Sequence, residues 1–354
     1  MAVSCSQSDL TAVTIPNVLP SLNLYGKASN NQRFFLSDNP ETISSTVPFT
    51  NGYATLWADT ASGLSSVTYR MFVWHLNNTG ATIKFGVTIG NGSSGSTYKV
   101  SGVKDCIDTI TGFVAHGKCA AKALLGNTLT PSSPVESSIA AGKVGLVKEW
   151  KVPNGYLVGG IIEFTLSSSS AMSYKVRTVA AKSTTADLRS NQNAVVSPVG
   201  THPRGSWYFS NIDGFGTSGG SAALYTVGDG NKSFSINNGG NDNLMTKDTS
   251  YTPGDAVATN KGHYGVIYKA NITFKNPTQA DKTLKVYLTG RGGSYGGAVR
   301  WNNGTTYGVP TMSSNTQGVR IATLSVPKGT SVTHSVYTST AGSLNTPAAI
   351  LITE

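Results

Sequence analysis

Short runs in which apolar and polar residues alternate, each closed by a glycine- or asparagine-rich turn, constrain this chain most. Ile83, Phe85, Val87 and Ile89 alternate with Lys84, Gly86 and Thr88, the two-residue period of a half-buried strand. Leu284, Val286 and Leu288 repeat the pattern, as do Ile350 and Ile352. Turns follow at short intervals, at Gly90-Asn91-Gly92-Ser93, Asn154-Gly155, Asn238-Gly239-Gly240 and Gly292-Gly293. Strands of this length with such turns point to antiparallel sandwiches or barrels. The best helical signal is Lys118 to Leu125, ended by Gly126, expected as a two-turn helix inside an insertion.

A weak internal repeat organises the chain. Tyr69-Arg70 opens an apolar run ending in Asn77-Asn78-Thr79, and the strand Ile83–Ile89 follows. Tyr268-Lys269 opens a similar run ending in Asn276-Pro277-Thr278, followed by Leu284–Leu288. Val152-Pro153-Asn154-Gly155 then answers Val326-Pro327-Lys328-Gly329. The first copy is longer by 25 residues, which fits an insertion near 100–140 that contains Cys106 and Cys119. The sequence therefore predicts an all-β fold of two tandem antiparallel β-sandwiches, immunoglobulin- or jelly-roll-like. Their expected bounds are 22–182 and 200–354, joined by a polar linker at 183–199. Residues 1–21 read as an extended arm, in which Pro16 and Pro20 forbid regular helix.

Only 12% of the 354 residues are charged, and the net charge is +10. The basic residues are dispersed, which describes a solvated surface and not a nucleic-acid groove. No stretch approaches the ~18 apolar residues of a membrane span. The start, Met1-Ala2-Val3-Ser4-Cys5, lacks the basic and apolar regions of a secretory signal. Of three cysteines, Cys106 and Cys119 are close enough in sequence to be expected as an intramolecular disulfide. That leaves Cys5 in the arm for an intermolecular bridge. The alternative is three reduced thiols. Five Asn-x-Ser/Thr sequons, at Asn77, Asn91, Asn231, Asn271 and Asn303, are no more than this composition produces by chance.

Catalytic signatures fail one by one. Gly112 to Cys119 approaches the phosphate-binding loop, but Cys119 replaces the hydroxyl that would hold Mg²⁺. Gly214 to Gly219 matches GxGxxG but leads into strand-like sequence and not a helix. His75, His116, His202, His263 and His334 lie far apart, without metal-type spacing, and His75 reads as a hydrogen-bonded structural histidine. Asp242 reads as a turn residue, since its surroundings fit no known Ca²⁺ pattern. No catalytic residue, metal site or cofactor is expected, and the protein is not expected to be an enzyme. Seventeen acidic residues could still supply a carboxylate pair assembled by folding. Aromatic rings near glycine-rich turns, Trp207, Tyr208, Tyr295 and Trp301, are the candidates for an exposed glycan-binding face.

Several segments resemble large surface proteins of Paenibacillus-type spore-forming bacteria, many of which carry a copper-amine-oxidase N-terminal-like module. The residues are Ser37-Asp38-Asn39-Pro40-Glu41, Pro203-Arg204-Gly205-Ser206-Trp207 and His263 to Tyr268, with Asn276-Pro277-Thr278 and Gly292-Gly293 beyond. The resemblance implies tandem β domains at the cell surface, and transfers no functional residues. The expected function is a non-enzymatic structural subunit of an extracellular or spore-surface fibre or layer, assembled from copies of itself through the N-terminal arm. The alternative is a surface adhesin or carbohydrate-binding protein, its partner a cell-wall or other glycan.

Overall fold

Strands form where the alternation predicts them, in a computed structural model that describes residues 8–354. The first are β1 (Val13–Thr14), β2 (Leu22–Asn23), β3 (Tyr25–Ser29), β4 (Arg33–Ser37), β5 (Thr42–Ile43) and β6 (Tyr53–Ser62). Three longer ones, β7 (Ser66–Asn77), β8 (Ile83–Asn91) and β9 (Tyr98–Ile110), precede helix α1 (Phe113–Leu125). Then come β10 (Thr130–Pro131), β11 (Ser138–Ile139), β12 (Val144–Val152), β13 (Leu157–Ser167) and β14 (Ser173–Ala181). The rest begins with β15 (Arg204–Trp207), β16 (Asn211–Phe215), β17 (Ala223–Thr226), β18 (Lys232–Ile236), β19 (Ile267–Lys275) and β20 (Lys282–Gly290). It ends with β21 (Tyr295–Trp301), β22 (Thr306–Met312), β23 (Gln317–Val326), β24 (Ser331–Thr340) and β25 (Ala348–Thr353).

These build four sheets. An eight-stranded sheet runs β10-β9-β13-β7-β4-β15, with β11 on β9 and β5 on β7, and a four-stranded sheet runs β12-β8-β14-β6. Phe35, Tyr69, Phe85, Phe164 and Tyr174 fill the space between them. A seven-stranded sheet runs β22-β21-β24-β19-β16-β3, with β17 on β19, and a six-stranded sheet runs β1-β23-β20-β25-β18-β2. Phe234, Phe274, Leu284, Leu288 and Ile350 belong to the core of this second pair. The protein is thus all-β, as expected. Each fully buried aliphatic or aromatic side chain contributes about 1.5–3 kcal/mol.

The two pairs repeat one arrangement. The order β6-β14-β8-β12 in the first matches β18-β25-β20-β23 in the second, and β7-β13-β9-β10 matches β19-β24-β21-β22. This is the double-sheet order of a jelly roll. The corner that announced the repeat is built identically in both copies. Asn77 Nδ2 donates to the Ala81 and Val152 carbonyls, at 2.7 and 2.8 Å. Asn276 Nδ2 donates to the Ala280 and Val326 carbonyls, each at 2.9 Å. Thr79 and Thr278 each donate to the side-chain oxygen of their own asparagine. Asn77 is fully buried, so its sequon is a structural device and not a glycan acceptor.

The expected boundaries do not describe the chain path, because the halves exchange strands. β3 pairs with β16 of the second half, in register Tyr25↔Phe215 to Ser29↔Asn211. β15 pairs with β4 of the first half, in register Phe34↔Trp207 to Ser37↔Arg204. Segments 25–37 and 204–215 therefore form one antiparallel ribbon that belongs to the first half at one end and to the second at the other. The described part of the arm, with β2 directly after it, also lies on the second half. β1 pairs with β23 at one edge of the six-stranded sheet, and β2 runs parallel to β18 at the opposite edge. The polar stretch at 183–199 packs on the first half. Leu188 is buried, Asn191 donates to Thr55, and Val196 N–H donates to the Thr55 carbonyl.

Helix α1 starts earlier than expected, at Phe113. It packs on β9 and β13 of the eight-stranded sheet and on β21, β22 and β24 of the seven-stranded sheet. Gly117 permits this approach, since a Cβ there would lie 2.5 Å from the Gly342 carbonyl oxygen. The apolar core continues through Leu124 to Phe72 and Trp74, on the face of β7 that points away from the first core. The eight-stranded sheet is thus covered on both faces around Met71 to Trp74, which reads as an unbroken apolar run because neither face meets water there, whereas Ser66 and Thr68 of the same strand are exposed.

Candidate functional site

Polar side chains converge in two places near the ribbon. The first is the seam between the halves. Arg70 on β7 reaches Glu163 of the neighbouring β13 at 2.8 Å, and Lys104 of β9 reaches the other oxygen of Glu163 at 2.9 Å. The Arg70 guanidinium also donates to the Ser210 carbonyl and the Asn211 side chain, at 3.1 and 2.8 Å. It therefore ties the first half to the exchanged segment of the second. Burial pushes the Glu163 carboxyl up, but the Arg70 and Lys104 charges outweigh it and hold the group below the usual carboxylate range. Beside this cluster lies an open groove of about 690 Å³, lined in part by Asn31, Lys104, Asn127 and Arg300. The seam chemistry is a charge clamp, with its donors already committed to protein acceptors.

The second place is the turn after β4. Asp38 is buried, Glu41 is half-buried, and His202 from the connector faces both. His202 Nε2 stands 3.0 Å from Glu41 Oε2, and Nδ1 stands 3.6 Å from Asp38 Oδ2. Burial pushes the Asp38 carboxyl up. Hydrogen bonds to Asp38 and Glu41 hold the His202 imidazole well above its ordinary value. The backbone carrying these groups is fixed from behind. Asn39 donates to the Val199 and His202 carbonyls, at 3.0 and 2.8 Å, and accepts from Val199 N–H. His75 Nδ1 meets the Pro40 carbonyl at 2.7 Å, which leaves Nε2 to accept from the Ser37 hydroxyl at 2.8 Å. His75 is the hydrogen-bonded structural histidine the sequence led us to expect. Burial lowers its pKa to about 4, so it is neutral.

Two other buried carboxylates, Asp59 and Asp242, are occupied. Asp59 takes Arg33 Nη2 at 2.7 Å and the Tyr69 hydroxyl at 2.7 Å. Asp242 accepts from Asn237 N–H at 2.8 Å and from the Tyr268 hydroxyl at 2.6 Å, so it closes a turn as expected. The two glycine-rich near-motifs also serve packing. Gly112 precedes α1, and a Cβ at Gly214 would meet the Tyr268 hydroxyl at 2.3 Å.

The cysteines and aromatics depart from expectation. Cys106 is a free thiol on β9, so the expected Cys106–Cys119 bridge is not formed. The two residues stand on different elements, a strand and a helix, and burial raises the Cys106 thiol to about 11. Cys5 lies outside the described residues. Trp207 and Tyr295 are buried and offer no ring face to a glycan. The indole of Trp207 folds over Gly205, where a Cβ would lie 2.5 Å from it. Trp301 is half-buried against His334 and Phe274. Tyr208, 53% exposed, is the one ring of the four that faces water. The sequence reading missed the Asp38, Glu41 and His202 grouping. The motif Ser37 to Glu41 was its only local signal, because His202 reaches the loop through the fold.

The chain matches no family model and no curated protein. Among solved structures, the CUB1-EGF-CUB2 region of human MASP-1/3 aligns with 86% of this chain and 99% of its own, at 8% identity and a TM-score of 0.17. The 11S allergen of Cocos nucifera aligns with 85% of this chain and 88% of its own, at 9% identity and a TM-score of 0.12. An oxalate decarboxylase aligns with 92% of this chain and 78% of its own, at 9% identity and a TM-score of 0.12. Likenesses at this level carry no argument about fold or activity.

Proposed function

We propose that this protein is a non-enzymatic structural subunit of an ordered extracellular or surface assembly, built from copies of itself through its N-terminal arm. The observation that carries the reading is the arm itself. Its strand β1, and β2 directly after it, cover the two edges of the six-stranded sheet, each through a two-residue ladder. Short edge strands of this kind occupy backbone groups that a second chain could otherwise take. Val13 and Leu19 in the arm, and Leu22 and Tyr25 just after it, hold a large share of their apolar surface in water. Ile15 and Val18 anchor the arm against Ala349 and Leu351, and Asp9 pairs with Lys122. The arm thus already shows the strand-and-anchor contacts that the same addition on a neighbouring copy would use, and head-to-tail exchange of that sort makes fibres or layers.

The test is electron microscopy and light scattering of the purified chain beside a form lacking residues 1–21. The expected result is ordered filaments or layers from the full chain and none from the shortened one. A full chain that stays monomeric over a wide range of concentration and salt would overturn the reading.

A further inference from the structure

We propose that Asp38, Glu41 and His202 form a binding site for a divalent transition-metal cation of the zinc type, which staples the connector at 196–203 to the turn after β4. The three side chains offer one nitrogen and two carboxylate oxygens, with all three ligand atoms within 4.8 Å of one another. Zinc takes imidazole nitrogen at about 2.0–2.1 Å and carboxylate oxygen at about 2.0–2.2 Å, so a modest closure of these side chains brings the set to bonding distance. Two carboxylates and a neutral imidazole around a dication leave the site without net charge.

An independent feature points to a ligand. Asp38 has only 5% of its side chain exposed, and its Oδ1 accepts no hydrogen bond. A buried carboxylate oxygen without a partner is costly, and a bound cation removes that cost. Elsewhere in the chain comparable carboxylates are saturated: Asp59 by Arg33 and Tyr69, Glu163 by Arg70 and Lys104. The supporting contacts resemble those that orient metal ligands. Asn39 fixes the backbone at His202, and His75 holds the Pro40 carbonyl between the two acidic residues. His202 is 46% exposed and Glu41 33% exposed, which leaves one side open for entry of the ion and for water to complete its coordination.

The competing arrangement is a protonated His202 bridging the two carboxylates without any ion. Untagged full-length protein, stripped with chelator, is titrated with Zn²⁺ by calorimetry and then melted at rising Zn²⁺ concentrations. Co²⁺ replaces Zn²⁺ for an absorption spectrum. One equivalent of Zn²⁺ per chain and a melting temperature that rises with Zn²⁺ are expected. Both responses should vanish in His202→Ala and in Asp38→Asn, and persist in His334→Ala. His202→Ala, at a half-exposed position, keeps the proposal testable if Asp38→Asn fails to fold. No uptake by the wild-type chain, or equal uptake by His202→Ala, would overturn it in favour of the proton-bridged pair.

Discussion

The two halves carry the same residue frame at one position and solve it in opposite ways. Tyr69-Arg70 on β7 corresponds to Tyr268-Lys269 on β19, and each tyrosine hydroxyl donates to a buried aspartate, Asp59 or Asp242. The next residue differs. Arg70 stands opposite Glu163 in the ladder and is buried, whereas Lys269 stands opposite Tyr337 and lays its ammonium over that ring at 5.9 Å. The surroundings explain the difference. Arg70 stands where β7 is covered on both faces, and there a cation needs a full set of acceptors. Lys269 keeps contact with water, where an ammonium needs none. Equivalent positions in a repeat thus share backbone while burial dictates the side chain.

Removing one partner of the clamp tests this most sharply. Glu163→Ala strands Arg70 in the seam and should cost about 3–5 kcal/mol, the penalty for an unpaired buried charge. Lys269→Ala should stay within about 0.5 kcal/mol of the parent. Urea denaturation of both variants measures the contrast, and equal losses would break it. The asparagine corners should instead behave alike. Asn77→Ala and Asn276→Ala each leave carbonyls without their donor and should each cost about 1–3 kcal/mol. A difference between them larger than that spread would show that the repeat is one of backbone path alone.

Acid should act on both halves in the same direction. Burial lowers His75 to about 4 in the first half and His263 to about 3 in the second. Both folded values lie below the unfolded value near 6.5, so the unfolded chain binds the proton more readily. Their contribution is complete above pH 6.5 and is lost as pH falls toward 4 and then 3. Each group can supply up to about 1.4 kcal/mol per pH unit within its window. Melting curves from pH 7 to pH 4 measure the decline, and His75→Gln should flatten it. An unchanged slope in that variant would show that His75 does not titrate with unfolding.

Local rules made the strands and the repeat legible. The alternation at Ile83–Ile89 and at Leu284–Leu288 became β8 and β20, and the asparagine runs became matched corners. The exchange of β3 and β15 was not legible, because nothing in Tyr25 to Ser29 or Arg204 to Trp207 says which strand lies alongside. Pairing across some 180 residues is decided by the ladder and not by composition. Trp207 misled for a related reason. A ring beside a glycine suggested exposure, but Gly205 is the space into which the indole folds. The grouping around Asp38 stayed hidden because Asn39 recruits His202 through backbone contacts that local sequence does not encode.

The ribbon also sets an order of events during synthesis. Residues 25–29 leave the ribosome well before their partner strand at 211–215. β1 waits still longer, for residues 317–318. Segments made before the rest of the first half are therefore among the last to be placed. The four-stranded sheet can form from the first half alone, but the other three sheets each take strands from both halves, so a chain halted midway holds unpaired edges and is exposed to wrong partners. Synthesis of both halves, and not of the first alone, is the event that seals these sheets.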